Sequence, residues 1–228
     1  MVGRAANVRH VSAFYADAAA GTLPQVCFVD PFFTTPAEGI GNDDHPLADI
    51  RLGQQFLGDV IRSFTQSSQF AKGALFVNYD EWGGFFDTVT LDIVPDDFAA
   101  DGFGQRGFRT PAVVVSPYAR QHAISSHLVP GATYDATSIL RFIEERFNMA
   151  PLTVRDANAR NVGELLDFTQ PPLEVEVPAY TALPDAYMAC AVEEQVDSAP
   201  SEWEALLEMG LFDALKLRTD YRLRDSFA

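Results

Sequence analysis

Two adjacent carboxylates, Asp80 and Glu81, follow a short apolar run, "GALFV", in the stretch "NYDEWGGFFDTV". Like charges side by side at the end of a buried strand are costly unless a cation or a hydrogen-bond network holds them. Carboxylate oxygens suit hard or borderline divalent ions. Gly83 and Gly84, just beyond, let a backbone approach a ligand closely. As a bare dipeptide, Asp-Glu is weak and is usually solvated; its place after a strand and before two glycines is what singles it out. A second candidate is His45 in "NDDHPLAD", a polar loop from which an imidazole can deliver a proton or contact a phosphate; the plain alternative is a solvated loop histidine. His127 in "ISSHLVPG" reads as an ordinary loop residue, and His10 and His122 have no supporting neighbours. Ser116 in "VVVSPYA" follows a strand but lacks the Gly-x-Ser-x-Gly elbow of a serine hydrolase. No Walker loop is present, and "GFGQRG" lacks the strand-then-helix context of a dinucleotide fingerprint.

The elements that must position these residues alternate in type. "PQVCFVDPFF" (24–33) reads as a buried strand, "GALFVNYD" as a second ending on the carboxylate pair, and "PAVVVSPY" (111–118) as a third. Between the first two, "DIRLGQQFLGDVIRSFTQ" carries Ile50, Phe56, Leu57, Val60, Ile61 and Phe64 on one helical stripe. "DATSILRFIEERFN" opens with Asp135 in capping position, and "VRDANARNVGELLDF" reads as a further helix. Strands separated by helices predict an α/β layered domain with a largely parallel sheet, whose ligand site lies at the carboxyl ends of the strands. Residues 170–200 are proline-rich and read as an extended arm, and the last segment, from "SEWEALLEMG" onward, reads as helical. The expected organisation is a domain over 1–170 and an arm plus helix over 171–228.

Composition bounds the function. Hydrophobic residues make up 47% of the chain and charged residues 21%, an ordinary globular balance. The 16 basic and 32 acidic residues give a formal charge of -16, which repels nucleic acid and anionic lipid. A phosphate-bearing substrate stays open, because a bound metal reverses the sign locally. No apolar run is long enough for a transmembrane segment, and the first residues carry no compact signal-peptide pattern. Cys27 and Cys190 match no metal-ligand spacing and could pair or stay free.

Six segments, in order over roughly residues 14–170, resemble the bacterial phosphoesterase family of non-haemolytic phospholipases C and acid phosphatases. They are "AGTLPQVCFVDPFF", "DDHPLADIRLGQQFLGDVI", "ALFVNYDEWGGFFDTV", "RTPAVVVSPYAR", "SSHLVPGATYDATSILRFIEERF" and "RDANARNVGELLDF". The resemblance implies an alkaline-phosphatase-like α/β fold and hydrolysis of phospholipids or small phosphate esters at a divalent metal ion. It assigns Asp80 and Glu81 as metal ligands and His45 as the active-site histidine that contacts phosphate or protonates the leaving group. It also implies export, to the periplasm or beyond. Against the family pattern, Thr88 and Ala136 stand where histidines are usual. The Glu-Asn-x-Ser-Phe ligand motif and the Ser or Thr nucleophile have no counterpart in these residues. The expectation is therefore a C-terminal portion of a phosphoesterase with an incomplete sheet, pairing with a missing N-terminal half and inactive alone. The alternative is a degenerate, non-enzymatic binding module of the same fold.

Overall fold

A computed structural model describes residues 7–33, 41–45, 49–120, 130–175 and 177. They fall into two compact units, each described by itself. The first holds described residues within Met1–Tyr79, Pro111–Thr133 and Val162–Cys190; the second holds those within Asp80–Thr110 and Tyr134–Asn161.

In the first unit, α1 (Val11–Ala20) packs with α2 (Ile50–Thr65). His10 caps α1, its Nδ1 accepting from the Ser12 amide at 3.2 Å, and Gly21 ends the helix in the left-handed region. Asp49 caps α2 by accepting from the Arg51 amide at 3.1 Å. The predicted stripe is real along most of α2: Val60 is buried, Phe56, Leu57, Ile61 and Phe64 are half-buried, and Ile50 at the first turn is exposed. Phe64 then meets Phe70 edge to face at 5.4 Å, in the short 3-10 turn Phe70–Lys72. The Gln69 side chain ties this turn back to the exit of α1, donating to the Leu23 carbonyl and accepting from its amide.

The β1 strand (Leu75–Asn78) and β2 (Ala112–Val115) are where the sequence places them, and they pair antiparallel with Leu75 opposite Val115 and Asn78 opposite Ala112. The expectation of a largely parallel sheet is not met by this pair. Its physical reason is the connection: residues 79–111 contain a 3-10 turn at Ala99–Asp101 and no crossover helix to return the chain to the same end. The coarser assignment, helices with a small open sheet, stands. Segment 24–33 forms no strand: Pro24 and Pro31 lack amide donors, no described strand pairs with it, and Phe28 is 74% exposed.

In the second unit an antiparallel bridge joins Ile93 to Gln105. Helix α3 (Thr137–Phe147) begins just after Asp135, whose carboxylate accepts from the Thr137 amide and hydroxyl. The predicted helix over "VRDANARNVGELLDF" splits instead. It becomes α4 (Val154–Ala157), started by a Thr153–Asp156 capping box, and a separate 3-10 turn at Val162–Leu165 in the first unit. The predicted arm over 170–200 lies largely outside the described residues and the last helix wholly so, as do Cys190, His122 and His127.

Candidate functional site

His45 is exposed at the end of a short loop in the first unit. Two tethers hold that loop. Asn42 exchanges hydrogen bonds with Phe32, its Oδ1 accepting from the Phe32 amide at 2.6 Å and its own amide donating to the Phe32 carbonyl at 2.9 Å. Asp44 Oδ2 accepts from the Tyr79 hydroxyl at 2.5 Å and from Gln54 Nε2 at 2.7 Å. Burial, then the Asp44 hydrogen bond and charge, push the Tyr79 hydroxyl above its ordinary pKa, so it stays a donor. The loop also lies hard against α2. A Cβ on Gly53 would sit 2.0 Å from Asp44 Oδ1 and 2.6 Å from the Asp43 carbonyl oxygen, so only glycine fits there. Asp44 Oδ1 is buried and has no hydrogen-bond partner. Asp44, Tyr79, Gln54 and Gly53 escape sequence reasoning. The one available signal was the density of polar residues in "GNDDH", which marks a loop without saying which side chain anchors it.

Asp80 and Glu81 open the second unit, both exposed. Glu81 Oε2 accepts from the Gly83 amide at 2.7 Å and closes a tight turn. Gly83 and Gly84 both take positive φ, 70° and 79°, which L side chains rarely adopt. The chain beyond is braced against residues 108–109. Trp82 and Phe86 pack edge to face on Phe108, at 5.0 and 5.5 Å, and Arg109 grips Asp87 with Nε at 2.6 Å and Nη2 at 2.9 Å. The Arg109 hydrogen bonds hold the Asp87 carboxyl far below the usual carboxylate range. Thr88, where the resemblance expects histidine, is exposed on this loop.

The structure thus brings Asp80 and Glu81 together and places His45 in the other unit. Two exposed carboxylates are the donors a hard divalent ion takes. Among the described residues, however, no group of three or more His, Cys, Asp or Glu side chains could hold a metal ion. The residues suit such an ion in kind and fall short of a complete shell. Ser116 is 2% exposed, donates to the Gly73 carbonyl at 2.9 Å and accepts from the Tyr118 amide, so it ties β2 to the turn before β1 and is no nucleophile. Among the described residues no helix is long and apolar enough to cross a membrane. Cys27 is exposed and free.

Comparison with known proteins covers most of the chain. The model of the Phosphoesterase family matches residues 2–150. Non-specific phospholipase C6 of Arabidopsis thaliana is 30% identical over 205 residues, 84% of this chain and 39% of the relative. Phospholipase C B of Mycobacterium tuberculosis is 32% identical over 180 residues, 70% of this chain and 32% of the relative. Non-hemolytic phospholipase C of Burkholderia pseudomallei is 32% identical over 148 residues, 56% of this chain and 19% of the relative. The matched part is therefore well under half of each of these relatives.

Proposed function

The chain belongs to the phosphoesterase family, and from that premise we propose that it serves a metal-dependent phosphoric ester hydrolase of the phospholipase C or acid phosphatase type. The observation that carries this reading is the exposed Asp80–Glu81 pair at the end of β1, inside the matched region. Asp80 and Glu81 are two ligands of a divalent ion, which when bound would polarise the phosphoryl group. His45, exposed on a doubly tethered loop, contacts phosphate or protonates the leaving group. Substrates on this reading are phospholipids or small phosphate esters, and the working location is outside the cytoplasm. The nucleophile and remaining ligands come from polypeptide that the relatives possess beyond the matched part.

The test uses the full 228-residue chain. Manganese ion, followed by its electron paramagnetic resonance, should bind weakly to the wild type and not to the Asp80→Asn, Glu81→Gln double variant. Equal binding by both would remove the assigned ligands. Hydrolysis of p-nitrophenylphosphorylcholine by this chain alone should be absent. Turnover that Asp80→Ala abolishes would overturn the divided arrangement and require a nucleophile within these residues.

A second reading, a non-enzymatic binding module of the same fold, is favoured by Thr88 and Ala136. Each stands where the family resemblance expects a side chain that coordinates or transfers protons. Genomic DNA upstream of Met1 separates the two readings. An in-frame Glu-Asn-x-Ser-Phe segment supports the hydrolase, and a promoter with a ribosome site at Met1 supports the module.

A further inference from the structure

A different pair of carboxyl groups lies in the second unit, on the helices rather than the loops. Glu144 of α3 is 3% exposed and Asp156 of α4 is 1% exposed. Both also accept from one amide, that of Leu152, at 3.3 Å to Glu144 Oε1 and 2.7 Å to Asp156 Oδ2. Asp156 Oδ1 takes the Thr153 amide at 2.7 Å and the Thr153 hydroxyl. Every Asp156 oxygen thus faces donors that favour its charged form. Glu144 Oε2, in contrast, is buried and meets no donor. Two buried carboxylates converging on a single amide repel one another, and a hydrogen on one of them relieves that repulsion. The asymmetry of donors says which: Asp156 is the anion and Glu144 the acid.

We propose that Glu144 and Asp156 form a proton-sharing pair that latches α3 to the turn opening α4, and that the latch weakens when the pair gives up its proton. The charged groups around it are few. Asp156 is the like charge facing Glu144. Arg141, one turn back on α3, opposes it, yet is engaged with Glu145 at 2.7 Å and with the Ala157 carbonyl. Glu145 is also held by Asn161, and Arg155 beside Asp156 turns to Asp96 at 2.9 Å and the Phe103 carbonyl at 2.6 Å. Burial, then the Asp156 hydrogen bond and charge, raise the Glu144 carboxyl above its ordinary value. Asp156 is lowered: hydrogen bonds from Thr153 and Glu144 outweigh the cost of its burial.

The sign of the pH dependence follows. A raised Glu144 stabilises the fold below the ordinary glutamate pKa, and that contribution is withdrawn as pH climbs through the raised value. A lowered Asp156 stabilises above the ordinary aspartate pKa and fails only in stronger acid. Because Val154 donates to Asp97 at 3.0 Å and Arg155 holds Asp96, loosening the latch also loosens residues 96–103.

The test is carbon-13 NMR titration of the side-chain carboxyls in the full chain, with Glu144 assigned by its loss in Glu144→Gln. Glu144 should titrate above an ordinary glutamate and Asp156 below an ordinary aspartate; Glu144 titrating at or below the ordinary value overturns the proposal. Urea unfolding from mildly acidic to mildly alkaline pH gives the second readout. Wild type should lose about tenfold in folding equilibrium constant for each unit by which Glu144 is raised. Glu144→Gln, which carries its own N–H to Asp156, should lose that slope, and an unchanged slope rejects the latch. If Glu144→Gln does not fold, Asp156→Asn serves: Glu144 must then return toward its ordinary value, and failure to do so is equally decisive.

Discussion

The second unit carries two pairs of carboxyl groups in opposite settings. Asp80 and Glu81 are neighbours in sequence, exposed, and held by a loop; Glu144 and Asp156 are 12 residues apart, buried, and held by helices. Water and counter-ions relieve the repulsion in the first pair, so both oxygen sets remain available to a ligand. Burial removes that relief from the second, whose carboxyls converge on a single amide and, as proposed, share a proton. Side-chain chemistry is nearly the same in the two places. What differs is access, and access decides whether an acidic pair stays open to a ligand or is closed in against its neighbour.

The contrast can be broken most forcefully from the buried side. Asp156→Ala removes the acceptor for Leu152, for the Thr153 amide and for the Thr153 hydroxyl, and with them the capping box. A loss of about 3 kcal/mol is expected in urea unfolding, against less than about 0.5 kcal/mol for Asp80→Ala. An Asp80→Ala loss as large as that of Asp156→Ala would erase the distinction. Gly53→Ala tests a third carboxylate of intermediate setting, Asp44, whose Oδ1 a new methyl would strike. About 2 kcal/mol should be lost, with changed chemical shifts at His45 and Tyr79. Gly84→Ala should cost about 1 kcal/mol through backbone strain, and it should weaken manganese binding if the loop sets the ligand geometry. The smallest effect belongs to Glu81→Gln: its stability change stays within about 0.5 kcal/mol, because a glutamine carbonyl still accepts from the Gly83 amide.

Legibility in the sequence followed period and type. The α2 stripe, the start of α3 near Asp135, and the strands ending at Asn78 and Val115 were readable because each repeats a local pattern over several residues. Segment 24–33 shows the limit. Its Val-Phe content is strand-like, but a strand also needs a partner, and pairing is a property of distant residues. The sense of β1–β2 pairing was hidden likewise, since it depends on how 79–111 returns rather than on either strand. At the candidate site, Asp80, Glu81 and His45 were named as candidates by type and neighbourhood, and their roles come from the family resemblance. Asp44, Gly53 and Gln54 did not, because their roles exist only where the 41–45 loop meets α2. The Glu144–Asp156 pair was invisible for the same reason: on a helix pattern, Glu144 reads as an ordinary solvated charge.

Gly84 has one more consequence. Its φ is 79°, yet a Cβ built there in the L configuration would have nothing within 4 Å. Room is therefore no obstacle at this position; handedness is. A positive φ is one that L side chains rarely adopt, so L-alanine placed there carries backbone strain even though its methyl meets nothing. The turn that presents Asp80 and Glu81 is thus limited at Gly84 by backbone handedness and not by room for a methyl group.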